Sequence, residues 1–280
     1  MPMVQVRGAN LYYETNGKGV PLVLCHEFAG SHESWKVQIE YFSSKYLVVT
    51  YNARGYPPSD VPDNIESYSQ ELAVEDLYHL LGHLGIQKAH LCGLSMGSHT
   101  TLHFGLKYPS MTQALIVAGL NGWSTEPGAS RRKGAALADR LETQGINAMG
   151  DYTRSPTRIQ LLRKRREVWT EFDNLFQNQS PKGLAMSLRG ILGRRPSIFD
   201  LKPELLELKI PTLIIAGEED IPCIEPAKFM KRWISTSSLA LFPGTGHTVN
   251  LEEPELFNDT VGSFLTEIDE RRINWATDTV

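Results

Sequence analysis

The run Gly93-Leu94-Ser95-Met96-Gly97 carries the most specific chemistry in the chain. It follows a short buried-strand pattern, Lys88-Ala-His-Leu-Cys92, and opens a helical pattern that continues to about Lys107. In that setting a G-x-S-x-G sequence puts the serine on a sharp strand-to-helix turn, with its hydroxyl exposed and the first helical amides aimed at it. Glycine is needed on both sides because the turn presses backbone against backbone and leaves no room for a Cβ. Taken alone, the same pattern also fits a serine that only caps a helix.

A serine hydroxyl is a weak nucleophile at neutral pH. It needs a base, and the base needs a carboxylate to fix its tautomer and orientation. Two later segments offer these groups at the carboxyl ends of apolar runs. Gly217-Glu218-Glu219-Asp220 follows Ile214-Ile215-Ala216, and Gly244-Thr245-Gly246-His247 follows Leu241-Phe242. The chain order Ser95, Asp220, His247 is that of a hydrolase with nucleophile, acid and base. Glu219 is a substitute acid, and the small neighbours of His247 leave space for an exposed imidazole.

The elements around these residues read as α/β. Short runs rich in Val, Ile and Leu alternate with helical stretches, the pattern of parallel strands joined by crossover helices. A hairpin is expected over Val4–Arg7 and Leu11–Thr15, then strands at Pro21–Cys25, Tyr46–Tyr51, Lys88–Cys92, Ala114–Ala118, Pro211–Ala216 and Leu239–Phe242. Helices are expected over Ser69–Leu84, from Ser95 to Lys107, over Pro226–Trp233 and over Pro254–Ile268. From Trp123 to about Pro203 no buried-strand pattern occurs, and helical spacing dominates, as in Ala135–Gln144 and Ile159–Phe176. The expectation is a core of residues 1–122 and 204–280 with a helical cap, 123–203, inserted into it.

With these segments in place the chain resembles the α/β-hydrolase superfamily, from about Gly8 to Leu265 outside the cap. His26-Glu27-Phe28-Ala29-Gly30-Ser31 resembles that family's oxyanion loop. Asn52-Ala53-Arg54-Gly55-Tyr56 with Ser59-Asp60 resembles its D-x-R-G-x-G-x-S stretch, and Asn250-Leu251-Glu252-Glu253-Pro254 resembles its post-histidine helix. The resemblance implies a mostly parallel twisted sheet flanked by helices. It also implies an oxyanion hole made by the backbone N–H groups of Phe28 and Met96, and chemistry without cofactor or metal. It points to hydrolysis of a small carboxylic ester or lactone, the motif being closer to enol-lactonases and esterases than to prolyl peptidases. Carbon-carbon bond hydrolysis of a ring-cleavage product, amide hydrolysis, a cofactor-free haloperoxidase and a low-turnover ligand receptor share the same frame.

Three positions depart from the family pattern: Glu27 and Ser98 stand where glycine is usual, and Asn52 where aspartate is usual. Glu27 could orient a polar substrate group or a water. Alternatively it faces solvent or pairs with a cap arginine, as charged side chains usually do. Asn52 is expected to keep the hydrogen-bonding turn role. Trp123, between the last strand before the cap and the cap itself, is a candidate substrate contact.

Composition sets the outer limits. The chain has 280 residues, 41% hydrophobic and 21% charged, with a net charge of -4. A chain of this size buries roughly 75% of its unfolded surface, enough for one large core without staples. The acidic balance argues against nucleic acid or an anionic membrane as partner, leaving a small-molecule substrate. Residues 123–200 carry a net charge of +6 against -10 elsewhere. Such a basic cap could steer a carboxylate-bearing substrate, although charge runs such as Arg163–Arg166 are ordinarily solvated helix faces. Cys25, Cys92 and Cys223 are odd in number and lie beside apolar runs, which fits a reducing cytoplasm, and neither a signal peptide nor a membrane span is expected. The histidine pairs His79/His83 and His99/His103 have helical i, i+4 spacing but no matching carboxylate motif, so packed or solvated rings are expected there.

Overall fold

The computed structural model describes residues 1–121 and 127–277, with side chains over 1–121 and 131–270. Eight strands form one sheet: β1 (Met3–Val6), β2 (Ala9–Asn16), β3 (Val20–Cys25), β4 (Tyr46–Tyr51), β5 (Ala89–Leu94), β6 (Thr112–Ala118), β7 (Thr212–Gly217) and β8 (Ser237–Phe242). Their order across the sheet is β1-β2-β4-β3-β5-β6-β7-β8. The β1–β2 and β2–β4 pairings are antiparallel and all others are parallel. Chain direction across the sheet reverses between β3 and β5, so the loops leaving those two strands diverge and open a crevice at their carboxyl ends.

Packing follows the two-residue period of the strands. Leu22 and Leu24 of β3, with Ile116 of β6, face one apolar layer that includes Trp35, Phe42, Phe257 and Leu265. Val23, Leu115 and Val117 face the other, against Leu77, Leu80, Leu102 and Met230. All seven residues of β6 are buried. Uninterrupted apolar runs arise because both faces of a parallel sheet are covered by helices.

Those helices are α1 (Lys36–Phe42), α2 (Gln70–His83) and α3 (Met96–Lys107) before the break in alternation, and α9 (Ile221–Trp233), α10 (Val249–Glu252) and α11 (Pro254–Thr277) after it. Between β6 and β7 lie α4 (Pro127–Gln144), α5 (Ile159–Lys164), α6 (Arg166–Gln177), α7 (Pro181–Met186) and α8 (Lys202–Glu207). Ser69 caps α2 by accepting a hydrogen bond from the Leu72 amide. The expected boundary at residue 203 falls inside α8, which packs beside α9.

Three helix expectations differ from the structure. Ile159–Phe176 is not one helix: Arg165, at φ -140° and ψ 70°, separates α5 from α6. The break lets Trp169 and Phe172 fold back onto Leu161 and Leu251, a gain in burial that a straight helix would forgo. α9 starts at Ile221 and contains Pro226. Within the first turn of a helix the missing amide of proline costs little, and Pro222 occupies that place. α11 continues past Ile268 to Thr277.

The helical segment after β6 rests on the strand ends through its own apolar seam, in which Phe28, Tyr56, Tyr68 and Met96 meet Leu141, Phe176, Leu184 and Leu188. Backbones touch there. A Cβ on Gly183 would overlap the carbonyl of Gly55, and one on Gly190 would overlap that of Tyr68. No helix among the described residues is long and apolar enough to cross a membrane.

Candidate active site

Ser95 sits between β5 and α3 with φ 54° and ψ -109°, a conformation that an L-residue holds only under tight constraint. The constraint comes from close backbone approach. A Cβ on Gly97 would overlap the Cys25 carbonyl, and one on Gly93 would overlap the backbone of Gly97. Ser98 adds to it, its hydroxyl donating to the Ser95 carbonyl at 2.5 Å. Serine at this departure from the family pattern thus ties the first turn of α3 to the bend.

Asp220 follows β7 and His247 follows β8, adjacent parallel strands that bring the two loops together. The His247 Nδ1–H donates to Asp220 Oδ2 at 2.6 Å. Burial pushes the Asp220 carboxyl up, but the charge and hydrogen bond of His247, with help from Cys223 and Arg158, outweigh it and hold the group below its ordinary value. Ser95, Asp220 and His247 are 8%, 2% and 4% exposed and line one cavity of about 360 Å³. Glu219 is exposed and accepts a hydrogen bond from Gln160, so the adjacent acid is turned away from the imidazole.

The histidine loop is fixed on several sides. The His247 amide donates to Thr157 O at 2.6 Å. Glu252 accepts from the amides of Gly246 (2.6 Å) and Thr248 (3.1 Å), gripping the loop before and after the ring. Burial raises the Glu252 carboxyl, and these donors pull it back. The sequence supplies Glu252 only as part of a family-like segment; its clamp depends on the α10 turn.

The loop after β3 supplies Phe28, which lines the cavity, and Ala29, whose φ is 63°. Met96 opens α3 directly after Ser95. Glu27 does not face solvent. It is 1% exposed, is absent from the cavity wall, and its Oε2 accepts from Arg158 Nη2 at 2.8 Å. Arg158 is the residue that reaches the cavity, its guanidinium 4.2 Å over the Tyr152 ring. Burial works against the Arg158 charge, but Tyr152, Glu27 and Asp220 together hold it firmly protonated. Tyr152 in turn donates its hydroxyl to the Phe28 carbonyl at 3.0 Å. Asn52 plays the turn role expected of it: Oδ1 accepts from the His32 amide at 2.8 Å and Nδ2 donates to Pro57 O at 2.7 Å.

Apolar side chains, including Leu137, Met149, Leu188 and Leu192, make up much of the remaining wall, with Lys133 as a further cation. Trp123 lies outside the described residues. Arg158, Tyr152 and Lys133 were not legible as site residues, since helical spacing says nothing of which turn lies over a strand end.

Asp220, Cys223 and His247 bring three metal-binding atoms within 4.8 Å of one another. A hydrogen bond already occupies the Asp220–His247 contact, and burial pushes the Cys223 thiol well up, away from the thiolate a metal requires. Cys223 instead donates to Gly119 O at 3.3 Å. All three cysteines are free and buried. Of the helical histidine pairs, His79 and His83 are exposed, whereas the other pair is packed: His99 Nε2 meets Asn121 O and His103 Nδ1 meets His99 O, while burial lowers the pKa of both.

The chain is similar to known hydrolases. The chain is 29% identical over 273 residues to 3-oxoadipate enol-lactonase 1 of Acinetobacter baylyi, covering 94% of this chain and 95% of that one. It is 33% identical over 300 residues to epoxide hydrolase 3 of Mus musculus, covering 96% and 77%. Its fold superposes on a thermophilic esterase from Thermogutta terrifontis with a TM-score of 0.86 at 26% identity, over 95% and 98% of the chains. On the enol-lactonase from Burkholderia xenovorans LB400 the score is 0.85 at 22% identity, over 95% and 100%, a likeness of fold. The family described as alpha/beta hydrolase fold matches residues 20–254. With a doubly wound sheet, a serine on a strained strand-to-helix bend and a histidine–aspartate pair at the neighbouring strand ends, the chain belongs to the α/β-hydrolase family.

Proposed function

We propose that this hydrolase cleaves a carboxylic ester or lactone of a small substrate through an acyl-enzyme on Ser95. The observation that carries the reading is the 2.6 Å His247–Asp220 hydrogen bond in the cavity that Ser95 also lines. In the first half-reaction Ser95 Oγ attacks the carbonyl carbon as its proton passes to His247 Nε2, and the leaving alcohol takes that proton. Water then repeats the sequence on the acyl group. Asp220 holds the ring with its proton on Nδ1 and stabilises the imidazolium. Amides of Phe28 and Met96 serve as the oxyanion hole, acting on charge that exists only in the tetrahedral state.

The helices between β6 and β7 act as a cap that shapes the substrate space. A cavity of about 360 Å³ with largely apolar walls suits a small molecule. Lys133 on its wall supports a carboxylate on the substrate. Similarity to an enol-lactonase and an esterase supports the ester or lactone class.

The test pairs a chromogenic acyl ester with a serine-reactive fluorophosphonate on wild type and Ser95→Ala. Sustained turnover and labelling of Ser95, both lost in the variant, are expected. A wild type that binds the ester but neither labels nor turns over would overturn the reading in favour of a ligand receptor.

A further inference from the structure

Glu27 is a buried carboxylate that the acyl-transfer scheme leaves unused. Its Oε2 lies 4.0 Å from His247 Nε2, and its side chain is fully buried. Asp220 occupies the other ring nitrogen, at Nδ1. The imidazole therefore stands between two carboxylates, one on each nitrogen. Among the described residues Glu27 Oε1 has no hydrogen-bond partner, so half of the carboxylate is left without a structural role. Arg158, from the cap, engages only Oε2, at 2.8 Å. A core carboxylate and a cap cation thus meet beside the nitrogen that exchanges the reacting proton.

We propose that Glu27 is a positioning residue for acyl transfer, a second carboxylate that stabilises the protonated His247 ring, with Arg158 as its balancing cation. The inference rests on the serine-hydrolase reading above. As Ser95 Oγ bonds to the carbonyl carbon, the carbonyl pair moves to oxygen and the serine proton moves to Nε2. Glu27 neither gains nor loses a proton; its negative charge faces the new N–H⁺. An opposite charge at this distance favours the protonated ring, and Arg158 offsets part of that effect. The other groups facing the ring are Asp220 and Cys223 from the β7–α9 stretch. Glu252 of α10 grips its loop, and Lys164 of α5 reaches Thr245 at 3.3 Å.

Catalysis needs the unprotonated ring, so activity falls on the acid side. Removing the Glu27 charge lets the ring shed its proton at lower pH, whereas removing the Arg158 charge does the reverse. The experiment measures kcat/KM against pH for wild type, Glu27→Gln, Arg158→Gln and Arg158→Lys. The acid limb is expected to move down by about one pH unit in Glu27→Gln, up in Arg158→Gln, and little in Arg158→Lys. Both glutamine variants weaken the same Arg158–Glu27 pair, so a purely structural latch would move them alike. Displacements in the same direction, or of less than about 0.3 unit in both, overturn the proposal. Should Glu27→Gln fail to fold, the two Arg158 variants decide it: no upward shift in Arg158→Gln overturns it. NMR titration of the His247 ring in the same variants reads the displacements without turnover. An inactive wild type therefore overturns the ester reading alone, and unmoved ring titrations overturn this one alone.

Discussion

Lowering the pH should withdraw stability through His26. The ring is 2% exposed, and both nitrogens are committed to backbone: Nδ1–H donates to Glu27 O at 2.7 Å, and Nε2 accepts from the Ala53 amide at 3.0 Å. A neutral ring satisfies both partners. A second proton would displace Ala53 and leave a charge out of water. Burial accordingly lowers the pKa from 6.5 to about 4, against the opposing hydrogen bond to Glu27 and with a smaller push from His32. Between those values the unfolded chain binds more protons than the folded one, so stability is full above about pH 6.5 and falls until about pH 4. A gap of about 2.5 units at about 1.4 kcal/mol each amounts to about 3 kcal/mol. Urea unfolding of wild type and His26→Gln, taken between about pH 7.5 and about pH 4.5, isolates this share, because His99 and His103 remain in both proteins. Wild type should lose about 2–3 kcal/mol more than the variant across the window. Parallel losses would refute the linkage, and with it the view that this ring pins the Phe28 loop to the Asn52–Ala53 turn.

Asp220→Asn should lower kcat by about 10⁴-fold, because the ring loses its tautomer, while Glu219→Gln should stay within about threefold of wild type. Equal losses would undo the assignment of the acid. Asp76→Ala leaves the Arg54 guanidinium buried without the carboxylate it now meets through Nε and Nη2, each at 2.6 Å. Calorimetry or urea unfolding should show a loss of about 3–5 kcal/mol, and one below about 1 kcal/mol would contradict the pairing. Gly97→Ala sets a Cβ against the Cys25 carbonyl, backbone that cannot step aside. A loss above about 3 kcal/mol, or failure to fold, is expected, and a wild-type melting temperature would sink the elbow geometry.

Sequence legibility followed burial. β4 (Tyr46–Tyr51) was placed to the residue, and β5, β6 and β7 to within a few, because strands covered on both faces are read as unbroken apolar runs. Ser95 and Asp220 were legible as candidates because each stands at the end of such a run, whereas His247 follows the edge strand β8, mostly half-buried or exposed, and was legible from its glycine-flanked loop and its place in the chain order. Arg165 shows the opposite case: charges on both sides conceal a break whose cause is the distant Leu251. Glu27 was legible as an anomaly, a carboxylate where the family has glycine. Its partner lies 131 residues away, and only the docking of α5 on the histidine loop makes the pair.

The bond from the His247 amide to Thr157 O ties the histidine loop to the turn preceding α5, and Gly246 is packed so closely there that a Cβ would strike the same carbonyl. The helical insert and the histidine loop therefore cannot be exchanged as separate modules. Transplanting a different helical insert onto this sheet would have to restore one carbonyl at one place, or the imidazole loop would lose the support that Thr157 O gives it. Diversification of substrate range by remodelling the insert is thus restricted to a narrow path at residues 157–158.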